Sequence, residues 1–127
     1  MKLYTVSGQA IPEGAAAEEY RAARAIGGVR AGAEHLFFRA GLRTYAVAWP
    51  EVTRCYRRVM RVPMKMCCGS GSLDVESLVV EGPSGELATI QLPGSRAARA
   101  LMDLLRETAP AVELAAPKKA EGTEARA

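Results

Sequence analysis

Between Leu36 and Leu105 the chain changes its hydrophobic period once, and that single change constrains the fold more than anything else in the sequence. Before it, apolar residues recur at every second position in short runs stopped by glycine or proline. Leu36, Phe38 and Ala40 alternate with Phe37 and Arg39 and end at Gly41; Tyr45, Val47 and Trp49 alternate with Ala46 and Ala48 and end at Pro50. Gly69-Ser70-Gly71-Ser72 reads as a turn, Leu73 to Glu81 as a Val/Leu-rich strand, Pro83-Ser84-Gly85 as a hairpin turn and Leu87 to Leu92 as the next strand. Sequential strands joined by tight turns pair antiparallel, so a small sheet or barrel is expected. After Pro93-Gly94, Ser95 can cap a helix through its hydroxyl, and Ala98, Leu101, Met102 and Leu105 then fall on one face at i, i+3, i+4 and i+7, with Pro110 ending the run. The expected class is α+β: a small bent antiparallel barrel or sheet closed by one C-terminal amphipathic helix.

The ends carry weaker signals. Of 127 residues, 23 are alanine, and these gather outside the strand runs, so the core is a modest one. Leu3, Tyr4 and Val6 suit a short strand or docking segment within a weakly structured stretch over residues 1–19. Ala15 to Ile26 has helix propensity, stopped by Gly27-Gly28. Residues 110–127 hold few large apolar side chains and read as a disordered tail, leaving residues 20–109 as the domain.

Charge is segregated along the chain. From Arg30 to Lys65 eight basic residues stand against Glu34 and Glu51, a block of +6; from Met66 to Gly94 the only charges are Asp74, Glu76, Glu81 and Glu86, a block of −4, within a net +3. The densest basic stretch holds Arg54, Arg57, Arg58, Arg61 and Lys65. Helical spacing would give it one basic face, whereas its Val, Thr, Cys and Tyr content suits a strand; a turn at Pro50 to Thr53 and a strand from Arg54 to Val62 are expected. These five side chains are the candidate ligand-binding residues, because guanidinium groups hold anionic oxygens in pairs of hydrogen bonds. The opposing reading is that the arginines pair across strands with Asp74, Glu76, Glu81 and Glu86. An acidic strand beside a basic one cancels the field that nucleic-acid binding needs, so nucleic acid ranks second as a partner.

Material for other chemistry is scarce. Three cysteines, two of them adjacent (Cys55, Cys67, Cys68), make no CxxC spacing and no disulfide framework, and a single histidine, His35, lies far from them in sequence; neither a metal nor another cofactor is expected. Ser70 and Ser72 have no GxSxG frame, and the glycine-rich pieces lack the fingerprint of a phosphate loop, so a non-enzymatic role follows. Uncharged stretches such as Thr44 to Pro50 and Leu87 to Ser95 fall well short of the ~20 residues that cross a bilayer. With no apolar segment behind Lys2, a cytoplasmic location is the expectation.

The order of these elements resembles the bacterial PH-like (pleckstrin-homology-like) domains. The resemblance rests on Glu34-His35-Leu36-Phe37-Phe38 as an early strand, on Tyr45 to Arg58 (YAVAWPEVTRCYRR) and on the hairpin and helix from Leu78 to Leu105. It implies a bent barrel closed by a C-terminal helix, acting as a binding or scaffold module for a protein partner or an anionic ligand.

Overall fold

The computed structural model describes residues 2–12, 14–66 and 69–115; of residues 64–66 and 70 it describes the backbone alone. Four strands form a meander, β3 (Arg24–Ile26), β4 (Val29–Ala31), β5 (His35–Ala40) and β6 (Arg43–Ala48). Ahead of them, β1 (Leu3–Tyr4) pairs parallel with β6 and antiparallel with β2 (Ala10–Ile11), which gives a six-stranded sheet in the order β2-β1-β6-β5-β4-β3. A 3-10 turn at Trp49–Glu51, with Pro50 inside it, leads into a second, three-stranded antiparallel sheet: β7 (Arg54–Met66), β8 (Gly69–Gly82) and β9 (Gly85–Leu92). The helices are α1 (Ala15–Ala22) and α2 (Ser95–Thr108). No helix among the described residues is long and apolar enough to cross a membrane.

The main core lies where both sheets and α2 meet. Leu36, Phe38 and Val47 come from the first sheet, Cys55, Leu78, Val80, Ile90 and Leu92 from the second, and Ala98, Leu101, Leu104 and Leu105 from α2. A smaller core covers the opposite face of the first sheet, where Leu3, Phe37 and Ala46 pack under Ala16, Tyr20 and Ala23. This explains why Leu36, Phe37 and Phe38 are apolar in succession. β5 is central and covered on both faces, so every residue of that run is buried.

Several expectations need correction. The strands do not close into one barrel, since β6 and β7 belong to different sheets. The helix expected over Ala15 to Ile26 stops at Ala22; Arg24 to Ile26 pair with Val29 to Ala31 across a turn in which Gly27 takes a φ of 62°. Pairing with β4 outweighs the local helix propensity there. Gly69 to Ser72 are strand, not turn, and pair with Met66 to Pro63. Trp49 lies in the 3-10 turn beyond β6, where its indole Nε1 donates to the Gly32 carbonyl at 2.9 Å. Ser95 is the first residue of α2 and makes no capping bond through its hydroxyl, and Leu104 is buried in the stripe where Met102 is only half-buried.

Residues on both sides of 20–109 contact the fold. Leu3 is buried and α1 spans the boundary placed at residue 19. Beyond residue 109, Val112 is buried, the Cys55 amide donates to the Glu113 carbonyl at 2.9 Å, and the Glu113 amide donates to the Thr53 carbonyl at 3.3 Å. Residues 110–115 are thus laid along the start of β7. The remainder of the expected tail lies outside the described residues.

One part of the second sheet projects. β7 has 13 residues and β8 has 14, but β9 has only 8 and reaches β8 no further than Glu76, the residue opposite Val59. Beyond that point β7 and β8 continue as a two-stranded arm.

Candidate functional site

The sequence directs attention to β7. Its ladder with β8 runs without a register break from Arg54 to Met66, so odd and even residues keep to opposite faces. Arg57 and Arg61 share the face of Cys55, while Arg54 and Arg58 share the face of Tyr56. This register brings each of the four arginines to an acid of the −4 block.

Arg57 donates through Nε to Glu76 Oε1 at 2.6 Å and through Nη2 to Oε2 at 3.0 Å, a bidentate pair in which Glu76 is only 6% exposed. The bond to Glu76 raises the guanidinium pKa further, against a smaller desolvation effect. Arg61 Nε lies 3.2 Å from Asp74 Oδ1, directly opposite it, with both side chains well exposed. Arg54 meets Glu81 at 3.8 Å and Glu113 at 3.2 Å, and donates to the Ala115 carbonyl at 2.7 Å. Arg58 meets Glu86 at 3.6 Å. The Lys65 backbone pairs with Ser70, and its side chain lies outside the described residues, as do Cys67 and Cys68. The four arginines of the anticipated basic surface are therefore met in cis by carboxylates: Arg54, Arg57 and Arg61 by acids of the adjacent β8, and Arg58 by Glu86 of β9.

Other candidates resolve in the same direction. Cys55 is fully buried, and burial pushes its thiol up to about 12, so at neutral pH it is protonated and inert. His35 Nδ1 lies 2.7 Å from Glu19 Oε1, a contact between β5 and α1. Among the described residues no group of three or more His, Cys, Asp or Glu side chains is placed to hold a metal ion.

A different set of cations lies beside the first sheet. A cleft of about 290 Å³ is lined by Lys2, Tyr4, Tyr20, Arg39, Leu42, Arg43 and Thr44. Arg39 and Arg43 flank the β5–β6 turn, where Gly41 takes a φ of 64° and Leu42 is 96% exposed. Parallel pairing of Leu3 with Thr44 carries Lys2 to the same end of the sheet. The Arg43 guanidinium sits 4.4 Å from the centre of the Tyr4 ring. Among the described residues, Lys2, Arg39 and Arg43 have no carboxylate partner. Such a cleft offers three positive charges, two tyrosines and a threonine hydroxyl to a small anion.

Arg39 and Arg43 belong to the +6 block, where charge alone does not separate them from the arginines of β7. Their signal was the short Arg-Ala-Gly-Leu-Arg turn, which brings two guanidinium groups together with no acid nearby. Lys2 arrives through a contact some forty residues distant, which no local pattern announces. Comparison with protein-family models, curated proteins and solved structures finds no match for this chain.

Proposed function

We infer that the protein is a non-enzymatic, PH-like binding module for an anionic ligand, held in the cleft of Lys2, Arg39 and Arg43. The PH-like reading draws support from element order: a four-stranded meander, a three-stranded meander, then one amphipathic helix packed against both sheets. The single observation carrying the ligand site is the contrast between two sets of cations. The four arginines of β7 are matched by carboxylates, whereas among the described residues Lys2, Arg39 and Arg43 meet no carboxylate and line one cleft with tyrosines in its wall. Unmatched guanidinium groups at a concave site attract oxyanions of the phosphate type and bind them bidentately.

Titration with pyrophosphate, followed by calorimetry or amide chemical shifts, tests this reading. Arg39→Ala and Arg43→Ala should each weaken binding at least tenfold, while Arg61→Ala leaves it unchanged. Binding that survives both cleft substitutions and falls with Arg61→Ala would overturn the assignment. Loss of pyrophosphate binding together with tight, steeply salt-dependent binding of a DNA oligonucleotide would favour the nucleic-acid reading through β7.

A further inference from the structure

The arm formed by β7 and β8 beyond Glu76 pairs with no third strand among the described residues, and it holds most of their exposed large apolar side chains. Val59 is 49% exposed, Met60 51%, Val62 39% and Leu73 50%. On the face shared by even residues of β7, Met60 and Val62 stand opposite Val75 and Leu73, so that face is apolar across both strands. An exposed two-stranded ribbon with an apolar face and an unpaired edge is a template for adding another strand.

The open edge can be specified bond by bond. The Cys55 amide points away from β8, because it donates to the Glu113 carbonyl. Since the ladder keeps its register, the backbone groups of Arg57, Val59 and Arg61 point the same way, and at Pro63 the same side has no N–H. Past Cys55 no strand of the described residues pairs with this edge.

We propose that this edge is where a second copy of the chain docks, β7 against β7, in an antiparallel pair with its two-fold axis at Met60. Charge selects the occupant, since Arg57 and Arg61 are already matched by Glu76 and Asp74 within each arm. A second arm therefore approaches without net repulsion, and an antiparallel strand edge pairs with its own copy about a two-fold axis, as an isologous contact requires, setting the two apolar faces side by side. Charge also selects the register. An axis at Val59 sets Arg57 opposite Arg61 of the second copy, and an axis at Arg61 sets that residue against itself. With the axis at Met60, Val59 faces Arg61, Val62 faces Arg58, and no arginine faces another. Pro63 lacks the amide of one hydrogen-bonded pair in either remaining register, but an axis at Val62 puts that gap in the central pairs, opposite Arg61, whereas the Met60 register moves it outward, opposite Arg57. In the Met60 register the outward-pointing Val59 and Arg61 form the hydrogen-bonded pairs, and Met60 meets its own copy at a non-hydrogen-bonded position, with Cα atoms roughly 4.5 Å apart.

Sedimentation of the full chain over a concentration series, with hydrogen exchange of the arm, tests the proposal. A concentration-dependent dimer is expected, with the Val59 and Arg61 amides protected only in the dimer. Met60→Asp should weaken dimerisation at least tenfold. Val59→Pro, which removes only an outward amide, should do the same, and circular dichroism checks that each variant is folded. In a background of Cys67→Ser and Cys68→Ser, Met60→Cys should oxidise to a covalent dimer, since that spacing suits a disulfide, whereas Val59→Cys should not. A chain that stays monomeric at millimolar concentration overturns the proposal. So does a monomer with those two amides protected, which would assign the edge to a segment of the same chain. A dimer insensitive to both edge variants overturns it as well.

Discussion

Glu19 in α1 binds the start of β5 with both carboxylate oxygens: Oε1 accepts from His35 Nδ1 at 2.7 Å, and Oε2 accepts from the backbone amides of Glu34 and His35, each at 2.7 Å. Gly32 lies against the same carboxylate, where a Cβ would overlap Oε2. One side chain thus joins the helix over the small core to the central strand of the first sheet.

The joint predicts an acid-sensitive contribution to stability. Burial raises the Glu19 pKa, but the hydrogen bonds from His35 and the two amides outweigh it and hold the carboxyl below its ordinary value. A depressed pKa means that the folded state favours the charged form. The contribution is present above the usual carboxylate range and is lost as pH falls through the lowered value. Glu19→Gln should cost about 1–3 kcal/mol at neutral pH, the usual loss when bonds to a charged acceptor are weakened and amides are left poorly matched. Urea denaturation across the acid range should show a shallower fall in stability for the variant than for the parent.

Two arginines on one face of β7 should differ sharply in worth. Glu76 is 6% exposed and depends on Arg57, so Arg57→Ala leaves a buried carboxylate unmatched and should cost about 2–4 kcal/mol. Arg61 and Asp74 are 74% and 54% exposed, and Arg61→Ala should change stability by less than about 1 kcal/mol. Replacing Arg57 and Glu76 together by Met and Leu should recover most of the loss. A double-mutant cycle by chemical denaturation measures the coupling directly, and equal effects at the two arginines would contradict the burial argument.

Local signals made much of the second sheet and the C-terminal helix legible: Val, Thr, Cys and Tyr marked β7 as a strand, the end of β9 alternates between exposed and buried positions, and α2 repeats at helical spacing. Segregated charge likewise announced the cross-strand pairs. Features set by distant contacts were not legible. Ile26 is strand because Val29 lies across a tight turn, and Leu3 is buried because α1 and β6 enclose it. Gly69 to Ser72 look like a loop in composition, yet a two-stranded arm beyond the reach of β9 tolerates small residues in its ladder. Of the ligand cleft, only the Arg39 and Arg43 turn could be read locally. Glu19 and His35 stand 16 residues apart on different elements, so no local pattern links them.

The apolar face of α2 can be ranked by burial. Leu101, Leu104 and Leu105 are at most 4% exposed, whereas Met102 is only half-buried. Leu101→Ala should cost about 2–5 kcal/mol and Met102→Ala distinctly less, as cavity formation adds to lost transfer energy only where the neighbours cannot close in. Thermal unfolding of the two variants side by side checks the order.

Cys55 reports on the last described segment of the chain. Its thiol is fully buried beneath a strip in which Val112 is 7% exposed and Glu113 bridges to the β7 backbone. Burial pushes the thiol up to about 12, so a protein with Cys67→Ser and Cys68→Ser should react with a thiol reagent at pH 8 only as fast as it opens. Val112→Ala removes the equivalent of two buried methylene groups and should cost about 1–2 kcal/mol. If residues 110–115 shield β7 by peeling and redocking as a unit, Val112→Ala should accelerate Cys55 labelling by roughly tenfold or more while global unfolding by urea shifts only modestly, since about 1.4 kcal/mol corresponds to a tenfold change in an opening equilibrium. Labelling that tracks global unfolding alone in both proteins would show instead that the strip and the core open together.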